Sequence, residues 1–261
     1  MTRRATKNGL VAAIFLSVVV GVIFADDSRN LIFAGRAGAE YHRAQTQFQS
    51  NTNDPVAAWQ FARACYDFND FVTNNAGRAA LANQGIAACR QSLARESNSA
   101  PGHYYLAIEL GQLADTKRNL AAYKMVREME REFKTADDLD EHFSYAGPAR
   151  CLGLLYRDAP GWPVSIGSRH KSREWLEQAA KLAPDYPENR LNLVESCWQW
   201  KDREAADNEL KTLDALWPSA QTKFTGEAWE RSWNDWSTRR EVARNNLKET
   251  ATPAKSPKSG R

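Results

Sequence analysis

The chain has 261 residues, 43% apolar and 26% charged, a balance that builds one or two cored domains and excludes a disordered or collagen-like class. Its net charge of +3 comes from the ends: without Arg3, Arg4 and Lys7 the chain holds 32 bases against 32 acids, and Lys255, Lys258 and Arg261 lie in the tail. The middle is therefore slightly acidic, and a nucleic-acid partner, which needs a concentrated basic face, is not expected.

Residues 1–25, MTRRATKNGLVAAIFLSVVVGVIFA, join a basic lead to an apolar run from Leu10 to Phe24 that ends at a small residue before two aspartates. This is the layout of a secretory signal. The run is a little short of the roughly 20 residues that span a bilayer comfortably, so an uncleaved inner-membrane anchor with a cytoplasmic lead is the alternative. Either way the protein is expected to be periplasmic or exported, with membrane contact only through this segment.

A repeating pattern follows. Ala37, Tyr41 and Ala44 form a half unit, one small-large-small trio at helical spacing. Trp59, Ala62, Arg63 and Tyr66 in WQFARACY predict a first helix, paired with a second through Ala87, Gln91 and Ala94. Leu106, Ala107 and Leu110 pair with Ala122, Val126 and Met129. Asp137 and Asp138 in TADDLDEH read as a solvated loop between hairpins. Leu152, Gly153 and Tyr156 in CLGLLY then pair with Ser172, Leu176 and Ala179, with extra residues in the turn RDAPGWPVSIGSRHK. The last unit, from Pro184 to Pro218, has the length of a tetratricopeptide repeat (TPR), with Leu193 in its first helix and Ala206, Leu210 and Leu213 in its second.

The spacing has a geometric reason. Small residues where two helices cross let them approach closely, and large ones at neighbouring turns fill the groove between hairpins. Each hairpin has an apolar face left over, so neighbours must stack. Trp229, Trp233, Trp236, Ala243 and Leu247 form one stripe on a helix over roughly residues 225–248, suited to capping the array. The prediction is an all-α, TPR-like α-solenoid of about four helical hairpins with irregular turns and a C-terminal capping helix, over residues 26–249. Residues 250–261, rich in Pro, Lys and Ser, read as a disordered basic tail.

Little in the chain suggests catalysis. His42, His103, His142 and His170 fall on different elements without metal-ligand spacing, and no nucleophile elbow is present. GSRHKS lacks the second glycine of a phosphate loop. No enzyme activity, metal or cofactor is expected. Cys65, Cys89, Cys151 and Cys197 all fall in helical patterns and read as buried thiols, with a Cys65–Cys89 bridge inside one hairpin as the alternative.

The segments HYYLAIELGQLAD and YAGPARCLGLLYRDAPGWPVSIGSRHKSREWLEQAAKLAPDYPENRL resemble the T-component proteins of tripartite ATP-independent periplasmic (TRAP) transporters. The resemblance covers about residues 35–218 and is most specific from Tyr145 to Leu191, where G-P, R-x-L-G-x-L-Y, A-P-G-W-P, S-I-G and P-E-N occur in order. It implies an exported helical-repeat accessory of solute uptake that binds a small organic anion or the periplasmic solute-binding protein, with a homo-oligomer as a further implication. The chain departs from many relatives in having no lipid-anchor cysteine after its apolar run.

The inserted turn poses a choice. Pro160 and Pro163 restrict the backbone around Trp162, and Ser165 or Ser168 is placed to cap the next helix. In one reading Trp162 is the wall of a ligand site, Arg169 and the helix start attract a carboxylate, and His103, Tyr104, Tyr145, Arg150 and Tyr156 line a concave side. In the other, Trp162 folds back as a packing plug. At the level of function, the alternative to an uptake accessory is an envelope scaffold that holds a protein on its concave face.

Overall fold

The computed structural model describes residues 27–117 and 120–249. The leader and the basic tail lie outside these residues. The described chain is all α-helix in its regular structure: α1 (Asp27–Ser50), α2 (Pro55–Asn69), α3 (Asn75–Leu93), α4 (Ala100–Asp115), α5 (Leu120–Leu139), α6 (Phe143–Asp158), α7 (Arg169–Leu182), α8 (Pro187–Gln199), α9 (Arg203–Lys223) and α10 (Glu227–Glu249). The half unit, the four predicted hairpins and the last helix are all present. Two compact units divide the chain within α7, after Gln178.

Local chemistry places the helix starts. The Asp54 carboxylate accepts from the Val56 amide at 2.8 Å, with Pro55 at the first helical position, and the Asn74 side chain accepts from Gly77 at 2.7 Å. Ser99 caps α4 at 3.2 Å and Asp202 caps α9 at 3.3 Å. Of the two serines expected to cap α7, Ser168 does so, accepting from the Lys171 amide at 3.3 Å.

In the first unit α2, α3, α4, α5 and α6 share a core built on Ala62, Ala82, Ile86, Cys89, Leu106, Leu110, Met129, Phe133, Leu152 and Tyr156. A second cluster, with Tyr41, Phe61 and Leu81, seats α1 on the α2–α3 hairpin. The small residues work as the repeat requires: Ala62, Ala107 and Ala122 are fully buried, and a Cβ on Gly153 would meet the Leu176 side chain at 2.5 Å. In the second unit α10 covers the α8–α9 hairpin, packing Trp229, Trp233 and Trp236 against Tyr186, Trp217 and Phe224. Arg240 lies 4.1 Å over the Trp217 ring and pairs with Asp214, which also holds Arg244.

Three expectations need correction. In α3 Ala87 and Ala94 are exposed; the buried trio is Ala82, Ile86 and Cys89, at the same internal spacing five residues earlier. The segment is alanine-rich on several faces, so composition left its phase ambiguous. Asp137 and Asp138 lie in the last turn of α5, not in a loop. Finally, α9 runs through Pro218 to Lys223; Trp217 and Ala220 are buried in the tryptophan cluster, and tertiary packing outweighs a proline that locally disfavours helix. All four cysteines are buried thiols outside any disulfide, so the bridge between Cys65 and Cys89 is not formed.

Candidate functional site

The seven residues expected to form one ligand site are divided between the interior and the two ends of α6. Tyr104 is buried among Tyr105, Phe133 and Phe143, and its ring closes against Gly147. Desolvation pushes its phenol well above the ordinary range, with Cys151 adding to the effect. Tyr156 is 1% exposed and donates to Glu130 at 2.5 Å. Burial and that carboxylate push the Tyr156 phenol up to about 12. Burial works against the Glu130 charge, but Lys134 at 2.7 Å and the Tyr156 hydroxyl outweigh it and hold the carboxyl below its usual value. His103, in the first turn of α4, has its Nδ1 2.6 Å from Glu132 and its Nε2 2.8 Å from the Ser97 carbonyl. These polar atoms are engaged inside the protein, tying α4 to α5 and α5 to α6.

Arg150 is also interior, 5% exposed, and donates to the carbonyls of Tyr145 at 3.1 Å and Ser144 at 3.4 Å. Those carbonyls belong to an unusual stretch. Ser144, Tyr145 and Ala146 have φ of 52°, 59° and 59°, a left-handed turn of three consecutive non-glycine residues at the start of α6. L-residues adopt this conformation singly, at a cost of about 1–2 kcal/mol each. Buried Ala146 and the Arg150 clamp hold it, and Tyr145 emerges 40% exposed.

Trp162 and Arg169 belong to the other end of α6, whose regular right-handed part, residues 147–158, spans about 18 Å at 1.5 Å per residue. The loop from Ala159 to Ser168 is closed at its base: Gly167 donates to the Pro160 carbonyl and Ser168 to the Tyr156 carbonyl, both at 2.9 Å, while Val164 and Ser165 donate to Gly161 at 3.1 and 3.2 Å. A side chain on Gly167 would strike the Ala159 carbonyl, so the hairpin-like crossing needs a glycine there. Ser165 is buried and Ile166 packs on the core. Trp162 does not fold back as a plug: it is 88% exposed, with Val164 beside it in sequence at 59%. Arg169 is exposed at the start of α7.

Sequence reasoning missed the most unusual buried group. Glu109, on α4, is wholly enclosed and neither carboxyl oxygen has a hydrogen-bond partner. It lies against Gly85 of α3, whose Cβ would come 2.6 Å from its Cδ. Desolvation, reinforced by Asp67, pushes its carboxyl well above the usual range. The only signal was an acidic residue within the apolar run YYLAIELGQL. In the second unit Arg239 is buried as well. Burial opposes its ionisation, but Glu195 at 2.7 and 2.8 Å, Asp235 at 3.1 Å and Glu188 hold the guanidinium protonated.

Comparison with known proteins adds to this geometry. A family model described as "Regulator of microtubule dynamics protein 1-3" matches residues 34–145, less than half of the chain. None of the curated proteins matches the chain. Among solved structures, a thermophilic TPR protein from Thermus thermophilus is similar over 83% of this chain and 95% of its own, with a TM-score of 0.59 and 19% identity. MamA is similar over 76% and 97%, with a TM-score of 0.47 and 14% identity. The first of these structures shows the fold: the chain is an all-α, TPR-like helical-repeat protein. The TRAP-component part of the sequence resemblance is not among what the comparisons show.

Proposed function

We propose that this protein is a non-catalytic adaptor that docks a protein partner at the corner where α5 meets α6. The left-handed turn Ser144–Ala146 carries this reading. Three residues held against their preferred conformation lower stability, and such strain persists mainly where it serves a task. Here it presents Tyr145, 40% exposed, from a base fixed by Arg150, and Leu139 at the end of α5 is 39% exposed. Tyrosine on a rigid base is a frequent interface anchor, because it brings a large contact area with little side-chain entropy to lose.

The finer form of this reading is an exported accessory of TRAP-type uptake whose partner is the periplasmic solute-binding protein. The ordered motifs between Tyr145 and Leu191 support it, as do the basic lead and apolar run of residues 1–25. A small organic anion is a weaker occupant, because the polar atoms of His103, Arg150 and Tyr156 are engaged by the protein itself.

A photoreactive phenylalanine analogue at position 145, in cells that produce the protein, tests the proposal. A single adduct of fixed mass is expected, weakened in an Arg150→Met background, with none from the same probe at exposed Ala87. Equal labelling from both positions, or none from 145, refutes a docking corner; a solute-binding protein in the adduct supports the finer form.

A further inference from the structure

The loop from Ala159 to Ser168 calls for an explanation of its own. Its tip, Gly161 to Val164, is exposed throughout and carries no polar side chain apart from the indole N–H. Four backbone hydrogen bonds close the base, so Trp162 and Val164 are displayed on a fixed support. Exposing an indole to 88% and a valine to 59% on one tip leaves apolar surface that something must cover.

The charges around the base favour one occupant. Arg169, His170 and Lys171 follow the loop on the first turn of α7 and are all exposed. His170 faces Glu174 at 3.1 Å and so leaves the balance, Asp158 receives Arg157 at 2.7 and 2.8 Å, and Glu177 lies 4.0 Å from Arg173, while the Lys171 ammonium stands 5.1 Å over the Tyr156 ring beside the loop. A projecting tip of Trp, Pro and Val above a basic collar matches the boundary of an anionic bilayer, where indoles settle at headgroup depth and lysines and arginines face lipid phosphates. The apolar run from Leu10 to Phe24, read from sequence as a leader or anchor, would bring the chain to a membrane as well.

We propose that this loop inserts Trp162 and Val164 into the headgroup boundary of an anionic membrane, with Arg169 and Lys171 toward the phosphates. The inference is independent of the docking corner at Tyr145, at the opposite end of α6.

The test uses the full chain and its Trp162→Phe variant on phosphatidylcholine vesicles with and without phosphatidylglycerol, prepared with brominated acyl chains. Subtracting the variant's emission from that of wild type isolates Trp162 from the other eight tryptophans, wherever the leader sits. On phosphatidylglycerol vesicles the difference emission should shift to the blue and be quenched, and raising the salt should reverse both. Lys171→Gln should lower the inserted-to-free ratio about fivefold, the loss expected for one cation near an anionic surface. Because both substituted side chains are exposed, the fold should survive. An unquenched difference emission on vesicles that carry the chain overturns the proposal. So does a blue shift without lipid as protein concentration rises, which would mean that a second copy covers the tip. Equal quenching on pure phosphatidylcholine would overturn the role of the basic collar.

Discussion

Adding one methyl group at Gly85 places a carbon 2.6 Å from Cδ and 2.7 Å from Cγ of Glu109, whose side chain is wholly buried. Overpacking of this kind costs about 1–3 kcal/mol, and alanine's advantage over glycine inside a helix offsets about 1 kcal/mol of it. Gly85→Ala should therefore destabilise the wild-type protein by about 1 kcal/mol. In a Glu109→Ala background the obstacle is gone, and the same change should stabilise by about 1 kcal/mol. The sign inverts, a coupling of about 2 kcal/mol, within the range for residues in contact. Urea midpoints at pH 7 and constant slope would measure it, with amide exchange along α3 and α4 locating the change. If Gly85→Ala has the same effect in both backgrounds, Glu109 does not pack on Gly85 and the reasoning fails. The pH dependence is a second check on the same group. The folded chain holds the Glu109 proton well above the ordinary value of 4.5, so the unfolded chain releases it first. The stability this adds is complete below the unfolded value and is lost as pH rises towards the folded one. Glu109→Met removes that decline and, by deleting an unpaired buried acid, should raise stability at pH 7 by about 1–3 kcal/mol.

Three further outcomes are expected. Lys201, at φ 61° between α8 and α9, sits where glycine is at ease, so Lys201→Gly should raise the melting temperature, by about 1 kcal/mol in stability. Arg239→Met leaves Glu195, Asp235 and Glu188 without their shared cation and should cost about 3–5 kcal/mol, read as lost amide protection in α8 and α10. Tyr145→Gly relaxes one left-handed residue and should raise stability by about 1 kcal/mol in thermal melts while abolishing the adaptor's crosslink, separating strain from structural need.

What could be read from the chain depended on how far each signal reaches. Hairpins α4–α5, α6–α7 and α8–α9 were legible because their small and large residues recur at helical spacing, and the stripe from Trp229 to Leu247 announced α10 for the same reason. The phase of α3 was hidden by alanines on more than one face, and the length of α9 by a proline that only the packing of Trp217 and Ala220 overrides. A residue type suited to a ligand does not say whether its polar atom faces an opening or a neighbouring helix. Tyr104, Arg150 and Tyr156 turned inward, and Tyr145 and Trp162 were placed at opposite ends of one helix.

By itself the amino-acid order determined that helices form, where most of them begin, and that they pair in succession, because capping and amphipathic spacing act over a few residues. The tertiary structure alone decided which side chains stay in water. It left an indole standing in solvent on a closed loop, sealed a carboxylic acid against a glycine, and twisted three residues left-handed around an arginine five residues onward. Burial is a property of contacts between distant segments, and no local pattern encodes it.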